Sequence, residues 1–86
     1  MAQTDVATVE SVLRRKLDAG LLPRQRPEKT IATYGAGEPC TVCDVLIGTT
    51  QVEWRLRSRE AVTHRFHIAC HRLWEAECLK RGYRVM

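Results

Sequence analysis

The chain has 86 residues and a formal net charge of +4, with 44% hydrophobic residues but only 6% aromatic ones. This length allows one domain with a modest core, of the kind that often needs a disulfide, a metal or a partner for stability. No run approaches the roughly 18 apolar residues that span a bilayer. No concentrated basic block predicts a nucleic-acid interface either, so nucleic-acid binding is allowed by the composition without being indicated.

Whether the four cysteines form disulfides or bind a metal depends on the redox state of the compartment that holds the protein. The N-terminal residues Met1-Ala-Gln-Thr-Asp-Val have neither the basic region nor the apolar run of a signal peptide. We therefore expect a cytoplasmic location, where thiols stay reduced. In that setting the cysteine pattern predicts metal binding rather than disulfides.

An amphipathic helix is predicted from about Asp5 to Ala19. Thr4 or Asp5 is suited to cap it, Gly20 to end it, and Pro23 to prevent its continuation. Its apolar residues recur at spacings of three and four, and they are Val6, Val9, Leu13 and Leu17. This stripe could dock on the rest of the chain, pair with a copy of itself or recognise another protein, and we expect one of the first two.

Three segments follow from the composition: the N-terminal helix in residues 1–22, an extended connector in residues 23–39, and a zinc-binding module in residues 40–86. The connector is predicted to lack regular structure because of its prolines and glycines. Ile31 and Tyr34, within it, are expected to lie across the core.

A β-hairpin is predicted after the first cysteine pair. From residue 51 to residue 57 the sequence alternates, which is typical of a half-buried strand. One side carries Val52, Trp54 and Leu56, and the polar side carries Gln51, Glu53, Arg55 and Arg57. Ser58-Arg59-Glu60 forms a polar turn, and residues 61–66 return as the second arm.

A helix is predicted from His67 onward, with Cys70, Trp74 and Cys78 at spacings of four and Gly82 as its stop. Cys78 is expected to be a small buried apolar residue.

The spacing of cysteine and histidine predicts one Zn²⁺ per chain. Cys-x2-Cys presents two thiolates from a tight turn, and a His and a Cys three residues apart share one face of a helix. The predicted ligands are Cys40, Cys43, His67 and Cys70. Because protein would fill all four tetrahedral positions, we expect a structural zinc, which would bring the net charge to about +3, and no enzymatic activity.

Two other histidines compete as ligands. His67 and His71 have the spacing of Cys2His2 fingers, but 23 residues separate Cys43 from His67, against the roughly 12–15 of that motif. Cys70 is therefore preferred, and His71 is expected at the surface. His64 is expected to pack beside Phe66 or to support the site from outside.

The order of knuckle, hairpin and helix resembles a treble-clef zinc finger, so the predicted fold is a small α+β, zinc-stabilised, treble-clef-like domain preceded by a helix. The stretch His64-Arg-Phe-His-Ile-Ala-Cys-His-Arg-Leu-Trp74 also resembles a RING-H2 finger, and the four predicted ligands match the first of that family's two zinc sites. The second site is missing, because Glu60, Ala61 and Val62 stand where that family has a cysteine and no Cys-x2-Cys follows Trp74. The resemblance implies a finger with one metal.

The leading functional hypothesis is a protein-binding or adaptor module that uses the hairpin face or the N-terminal helix. A nucleic-acid-binding transcriptional regulator is an alternative and would use Arg55, Arg57 and Arg59. A thiol-zinc redox sensor is a second alternative, because oxidation of zinc thiolates releases the metal. A reduced RING-like ubiquitin-ligase component is a third, and it would bind its partner through the region of Trp74.

Overall fold

The computed structural model of the chain describes residues 6–85. Helix α1 spans Val6–Asp18 and helix α2 spans Ile68–Lys80. Between them lie β1 at Lys29–Tyr34, β2 at Val52–Arg57 and β3 at Thr63–His67. The strands form one antiparallel sheet in the order β1-β2-β3. Neither helix in residues 6–85 has the length and apolar character that crossing a bilayer requires.

Helix α1 docks on the rest of the chain, as expected from its stripe. Val9, Leu13 and Leu17 are buried in the core, while the predicted cap residues 4 and 5 and the Val6 side chain lie outside the described part. Gly20, with a φ of 75°, ends the helix: its N–H donates to Leu17 O and the next N–H donates to Lys16 O. Gly82, with a φ of 76°, ends α2 in the same way.

The prediction of an unstructured connector in residues 23–39 was wrong, because this segment contains β1. Its six residues pair along β2, from Lys29 opposite Arg57 to Tyr34 opposite Val52. Pairing with an existing strand supplies the hydrogen bonds that the local composition does not predict. The predicted hairpin is therefore the inner part of a three-stranded sheet.

Ile31 and Tyr34 do not lie across the core. Both are exposed, Tyr34 by 70%, because β1 is an outer strand and no helix or strand within residues 6–85 covers these side chains.

The polar side of β2 also differs from the prediction. Glu53 is 0% exposed, although the alternation places it with the solvent-facing residues. Its carboxylate accepts a hydrogen bond from Arg55 Nε at 2.8 Å, and Arg65 Nε lies 3.6 Å from the same oxygen. A central strand has neighbours on both edges, so side chains from β3 help to bury this position.

The core gathers residues from both helices, the sheet and the turn that carries the first two cysteines. Its largest buried side chains are Trp74, Phe66, Leu13, Leu17, Ile47 and Leu56. The segment after α1 is fixed to α2 because Trp74 Nε1 donates to Pro23 O at 2.9 Å. The core thus joins the N-terminal helix to the elements that carry the cysteines.

Candidate metal centre

The first two candidate ligands lie on a tight turn. Cys40 N–H donates to Val45 O and Asp44 N–H donates to Cys40 O, each at 2.9 Å. Asp44 has a φ of 64°, a left-handed conformation that Asp tolerates better than most residues. This reversal brings the thiols of Cys40 and Cys43 to the same side of the turn.

The second pair lies where β3 meets α2. His67 is the last residue of β3 and the residue just before α2, with extended backbone angles. Cys70 is in the first turn of that helix. The predicted helix begins one residue later than expected, but the side chains of His67 and Cys70 still converge.

The four predicted ligands come together. Cys40, Cys43, His67 and Cys70 each offer one donor atom, and all four donor atoms lie within 4.8 Å of one another. His67 Nδ1 is 3.4 Å from Cys43 Sγ and 3.9 Å from Cys70 Sγ. Tetrahedral zinc with ordinary bond lengths separates its nitrogen and sulfur ligands by about 3.6 Å. This donor set could therefore hold one metal ion.

The second ring nitrogen of His67 faces a backbone carbonyl group. Nε2 lies 3.4 Å from the carbonyl oxygen of Leu46, and a carbonyl oxygen can only accept a hydrogen bond. An imidazole with its proton on Nε2 would donate to this oxygen and leave the Nδ1 lone pair directed at the thiols. Metal-ligating histidines are commonly oriented in this way, and Leu46, in the apolar run after the cysteine turn, is a partner that the spacing of ligands could not reveal.

The acid–base properties of the thiols also suit a cation. A hydrogen bond from Cys70 lowers the pKa of Cys40 to about 4, helped by the backbone N–H groups of Cys43 and His67. The same contact with Cys40 raises the pKa of Cys70, and burial raises the pKa of Cys43. A bound cation would favour the thiolate form of all three cysteines.

Three other predicted residues have different roles. His71, expected at the surface, instead stacks on Trp54 with ring centroids 4.8 Å apart, and lies 3.3 Å from a Glu75 oxygen. His64 is partly buried, and the centroid of its ring is 6.4 Å from that of Phe66. Cys78 is buried and outside the donor set, as expected. His71, which directly follows Cys70, thus belongs to an aromatic cluster and not to the donor set.

Trp74 was predicted as a binding residue, but it is 1% exposed and belongs to the core. Its indole packs against Phe66 and its N–H is used by Pro23 O. Its burial leaves little of the side chain for a partner to contact. The prediction failed because a helical period does not distinguish a core face from a binding face.

The predicted arginine face is only partly assembled. Arg55 and Arg57 lie on one face of β2, but Arg55 is paired with the buried Glu53. Arg59 is in the turn after β2, where it lines a separate cavity with Arg26. The strand register adds two cations to the sheet face that sequence reasoning missed: Lys29 opposite Arg57, and Arg65 opposite Arg55.

Comparison with protein-family models, with curated proteins and with solved structures gave no match for this chain. The resemblance to treble-clef and RING-H2 fingers thus depends on the Cys3His spacing and on the order of the elements.

Proposed function

We propose that the chain is a small module built around one structural Zn²⁺, and that its surface binds another protein. The observation that carries the zinc proposal is the closed set of four donors, three thiols and one imidazole, within 4.8 Å of one another. Sulfur and imidazole ligands in this number suit tetrahedral zinc. The order of turn, hairpin and helix around the donors supports a treble-clef-like finger as the form of this module.

The same donor set supports a role without catalysis. A catalytic zinc usually keeps three protein ligands and leaves the fourth position to water or substrate. Four protein donors fill that position, so zinc would act on the fold and not on a substrate. Reduced thiols at this site are consistent with a cytoplasmic protein.

Exposed apolar side chains next to the metal centre support protein binding. Val45 and Leu46 follow the cysteine turn and are 52% and 61% exposed, and Ile68 at the start of α2 is also exposed. A largely aliphatic cavity of about 540 Å³ is lined by Val45, Ile68 and Val9 of α1, and three of the four donor residues also border it. Neighbouring exposed apolar groups of this kind are more typical of protein-binding surfaces than of polyanion-binding ones.

The zinc proposal is tested by native mass spectrometry with metal analysis, followed by chelation. Structural zinc sites contribute about 10–16 kcal/mol of binding free energy, comparable to the whole net stability of a domain, about 5–15 kcal/mol. We therefore expect one zinc per chain and loss of the folded circular dichroism spectrum when the metal is removed. A metal-free chain that stays folded would refute the structural role.

A matched pair of substitutions separates the ligand role from simple loss of a buried thiol. Cys70→Ala should lower zinc content to well below one per chain, whereas Cys78→Ala, at a buried cysteine outside the donor set, should keep it. Equal zinc content in the two variants would show that the Cys3His group is not the site.

The interaction role is tested by crosslinking the zinc-loaded chain to its neighbours in the source cell. We expect a defined protein crosslinked at full zinc occupancy and lost when Cys70→Ala unfolds the module. Failure to obtain any saturable protein complex would remove the interaction role and leave the zinc proposal intact.

A further inference from the structure

The outer edge of β1 carries backbone groups that no other strand of the described residues uses. Gly35 N–H donates to Gln51 O at 2.9 Å, and hydrogen-bonded pairs alternate along an antiparallel ladder. Thr33, two residues before Gly35, therefore directs its backbone groups to β2. The residues of β1 that direct theirs away from the sheet are Thr30, Ala32 and Tyr34.

The opposite edge of the sheet is already covered. Thr41 N–H donates to Arg65 O at 2.7 Å, and Arg65 N–H donates to Thr41 Oγ1 at 3.0 Å. The cysteine turn thus protects β3, and within residues 6–85 β1 is the open edge. It is six residues long with no proline inside it, so it has few of the features that keep edge strands from pairing.

One sheet face beside this edge is basic. Lys29 lies opposite Arg57, and neither forms an ion pair with any residue that the structure describes. Like charges placed directly opposite each other destabilise a sheet. Arg55 and Arg65 also lie on this face, sharing the buried carboxylate of Glu53. Carboxylates on an added strand would relieve the repulsion between Lys29 and Arg57.

The other face offers an apolar recess at the same edge. A cavity of about 340 Å³ is lined by Ala32, Thr33, Tyr34 and Val52. Side chains of a strand alternate between the two faces of a sheet. An added strand would thus place one set of side chains in this recess and the other beside Lys29.

We propose that β1 binds an extended segment of a partner protein as a fourth strand, and that this segment alternates acidic and apolar residues. The inference rests on the proposed protein-binding role and names its surface. A second copy of this chain fits less well, because it would bring another basic face beside the first. Nucleic acid fits less well too, because phosphates accept hydrogen bonds and would leave the carbonyl groups of β1 unpaired.

The test uses the full zinc-loaded chain and a soluble capped peptide of alternating Glu and Val, followed by ¹⁵N NMR and amide exchange. We expect saturable shifts along β1 and slower exchange of the amides of Thr30, Ala32 and Tyr34. A Lys/Val peptide of the same pattern should bind at least about tenfold more weakly, because its charge is reversed. A Glu/Val peptide that is N-methylated on the edge facing β1 should also bind about tenfold more weakly, because its backbone cannot donate hydrogen bonds to β1.

Variants of the chain test the same surface. Ala32→Pro removes an N–H that faces away from β2, so it should weaken Glu/Val binding about tenfold or more while zinc content stays at one. Lys29→Gln with Arg57→Gln should weaken binding and reduce its dependence on salt, because both cations face the added carboxylates. Arg72→Gln, at an exposed residue of α2, is the matched control and should leave binding unchanged. If Ala32→Pro does not fold, the N-methylated peptide measures the backbone contribution with the natural chain.

Several results would overturn the proposal. Equal binding of the Glu/Val and Lys/Val peptides would remove the charge argument, and a footprint confined to Val45 and Ile68 would place the contact at the aliphatic cavity. Concentration-dependent protection of β1 without peptide would identify a second copy as the occupant. Displacement of the peptide by duplex DNA, with shifts at Lys29 but no protection of Ala32, would identify nucleic acid. If the chain binds a protein at another surface, the β1 proposal fails and the proposed protein-binding function stands. If the crosslinking test finds no protein partner, the proposed function itself fails.

Discussion

The amino group of Lys16, on α1, donates a hydrogen bond to the carbonyl oxygen of Thr41, between the two cysteines of the turn, at 2.8 Å. The same group lies 2.9 Å from a carboxylate oxygen of Asp44, the left-handed residue that follows Cys43. Helix α1 is therefore tied to the backbone that positions two of the four donors. This contact makes the N-terminal helix part of the metal centre's support.

Substitution of Lys16 by Met should weaken that support while keeping most of the aliphatic packing. Loss of the hydrogen bond to Thr41 O should lower the free energy of unfolding by about 1–2 kcal/mol and speed zinc release to a chelator. Urea unfolding and stopped-flow zinc release would measure the two effects. Arg15→Met, on the exposed side of the same helix, is the control, and equal behaviour of the two variants would show that the contact is unimportant.

Gly35 should be the least replaceable glycine of the described chain. It is buried, and a Cβ placed on it would lie 2.6 Å from the carbonyl oxygen of Ile47 and would also clash with Gly48 O. Both are backbone atoms, so the strand end or the loop must move. Gly35→Ala should lower the free energy of unfolding by about 2 kcal/mol or more, measured by urea denaturation.

Gly48→Ala provides the comparison for Gly35→Ala. Its added methyl group would meet only the side chain of Gln51, at 3.4 Å. The free energy of unfolding should therefore fall by no more than about 0.5 kcal/mol. Similar losses at the two positions would mean that the strand end and the loop separate more easily than the close approach implies.

Glu53→Gln should expose the repulsion between Arg55 and Arg65, which lie opposite each other in the sheet. Removing one partner from a fully buried ion pair costs about 3–5 kcal/mol, but both arginines are about one-third exposed and solvent screens part of that cost. We expect a loss of about 2 kcal/mol in thermal or urea unfolding. Glu60→Gln, in the exposed turn, should be nearly neutral, and an equally small effect at Glu53 would contradict the expected role of its charge.

Cys78 should resist alkylation at pH 8 while the chain is zinc-loaded. Burial raises the pKa of its thiol to about 11, and the reactive form of cysteine is the thiolate. The folded state therefore keeps its proton better than the unfolded state, whose thiol has a pKa near 8.5. The raised pKa of the Cys78 thiol therefore stabilises the folded state fully below about pH 8.5, and this stabilisation is lost as the pH rises toward 11.

Iodoacetamide labelling with peptide mass mapping checks the reactivity of Cys78, and unfolding between about pH 8 and 11 checks the stability. Cys78→Ala should flatten the alkaline loss relative to the natural chain, because the zinc ligands are common to both. Rapid labelling of Cys78 at full zinc occupancy would contradict the expected protection of its thiol and show that α2 opens readily.

Much of the metal centre was predictable because its signals are local. Cys-x2-Cys and His-x2-Cys each place two donors a few residues apart, so a turn and a helix start orient them without reference to the rest of the fold. The α1 stripe at Val9, Leu13 and Leu17 was predictable for the same reason, since a helical period is a property of neighbouring residues.

Other features depend on residues that are distant in the sequence. Strand β1 forms because β2 offers it a hydrogen-bonding edge, and Glu53 is buried because arginines from two strands meet its carboxylate. Trp74 and His71 have the same helical spacing as contact residues would have, and only the packing of α2 on the sheet distinguishes core from surface. The contact that orients the His67 ring likewise comes from Leu46, a partner 21 residues away.

The sequence by itself therefore determined the two ligand pairs and most of the elements that carry them, because those follow from periods of two and 3.6 residues and from short turns. Only the tertiary structure decided which strand edge stays open, which charges face one another and which aromatic side chains are unavailable to a partner. Those properties arise from pairing and burial between segments far apart in the chain, where the local pattern of residues carries no information about the neighbour.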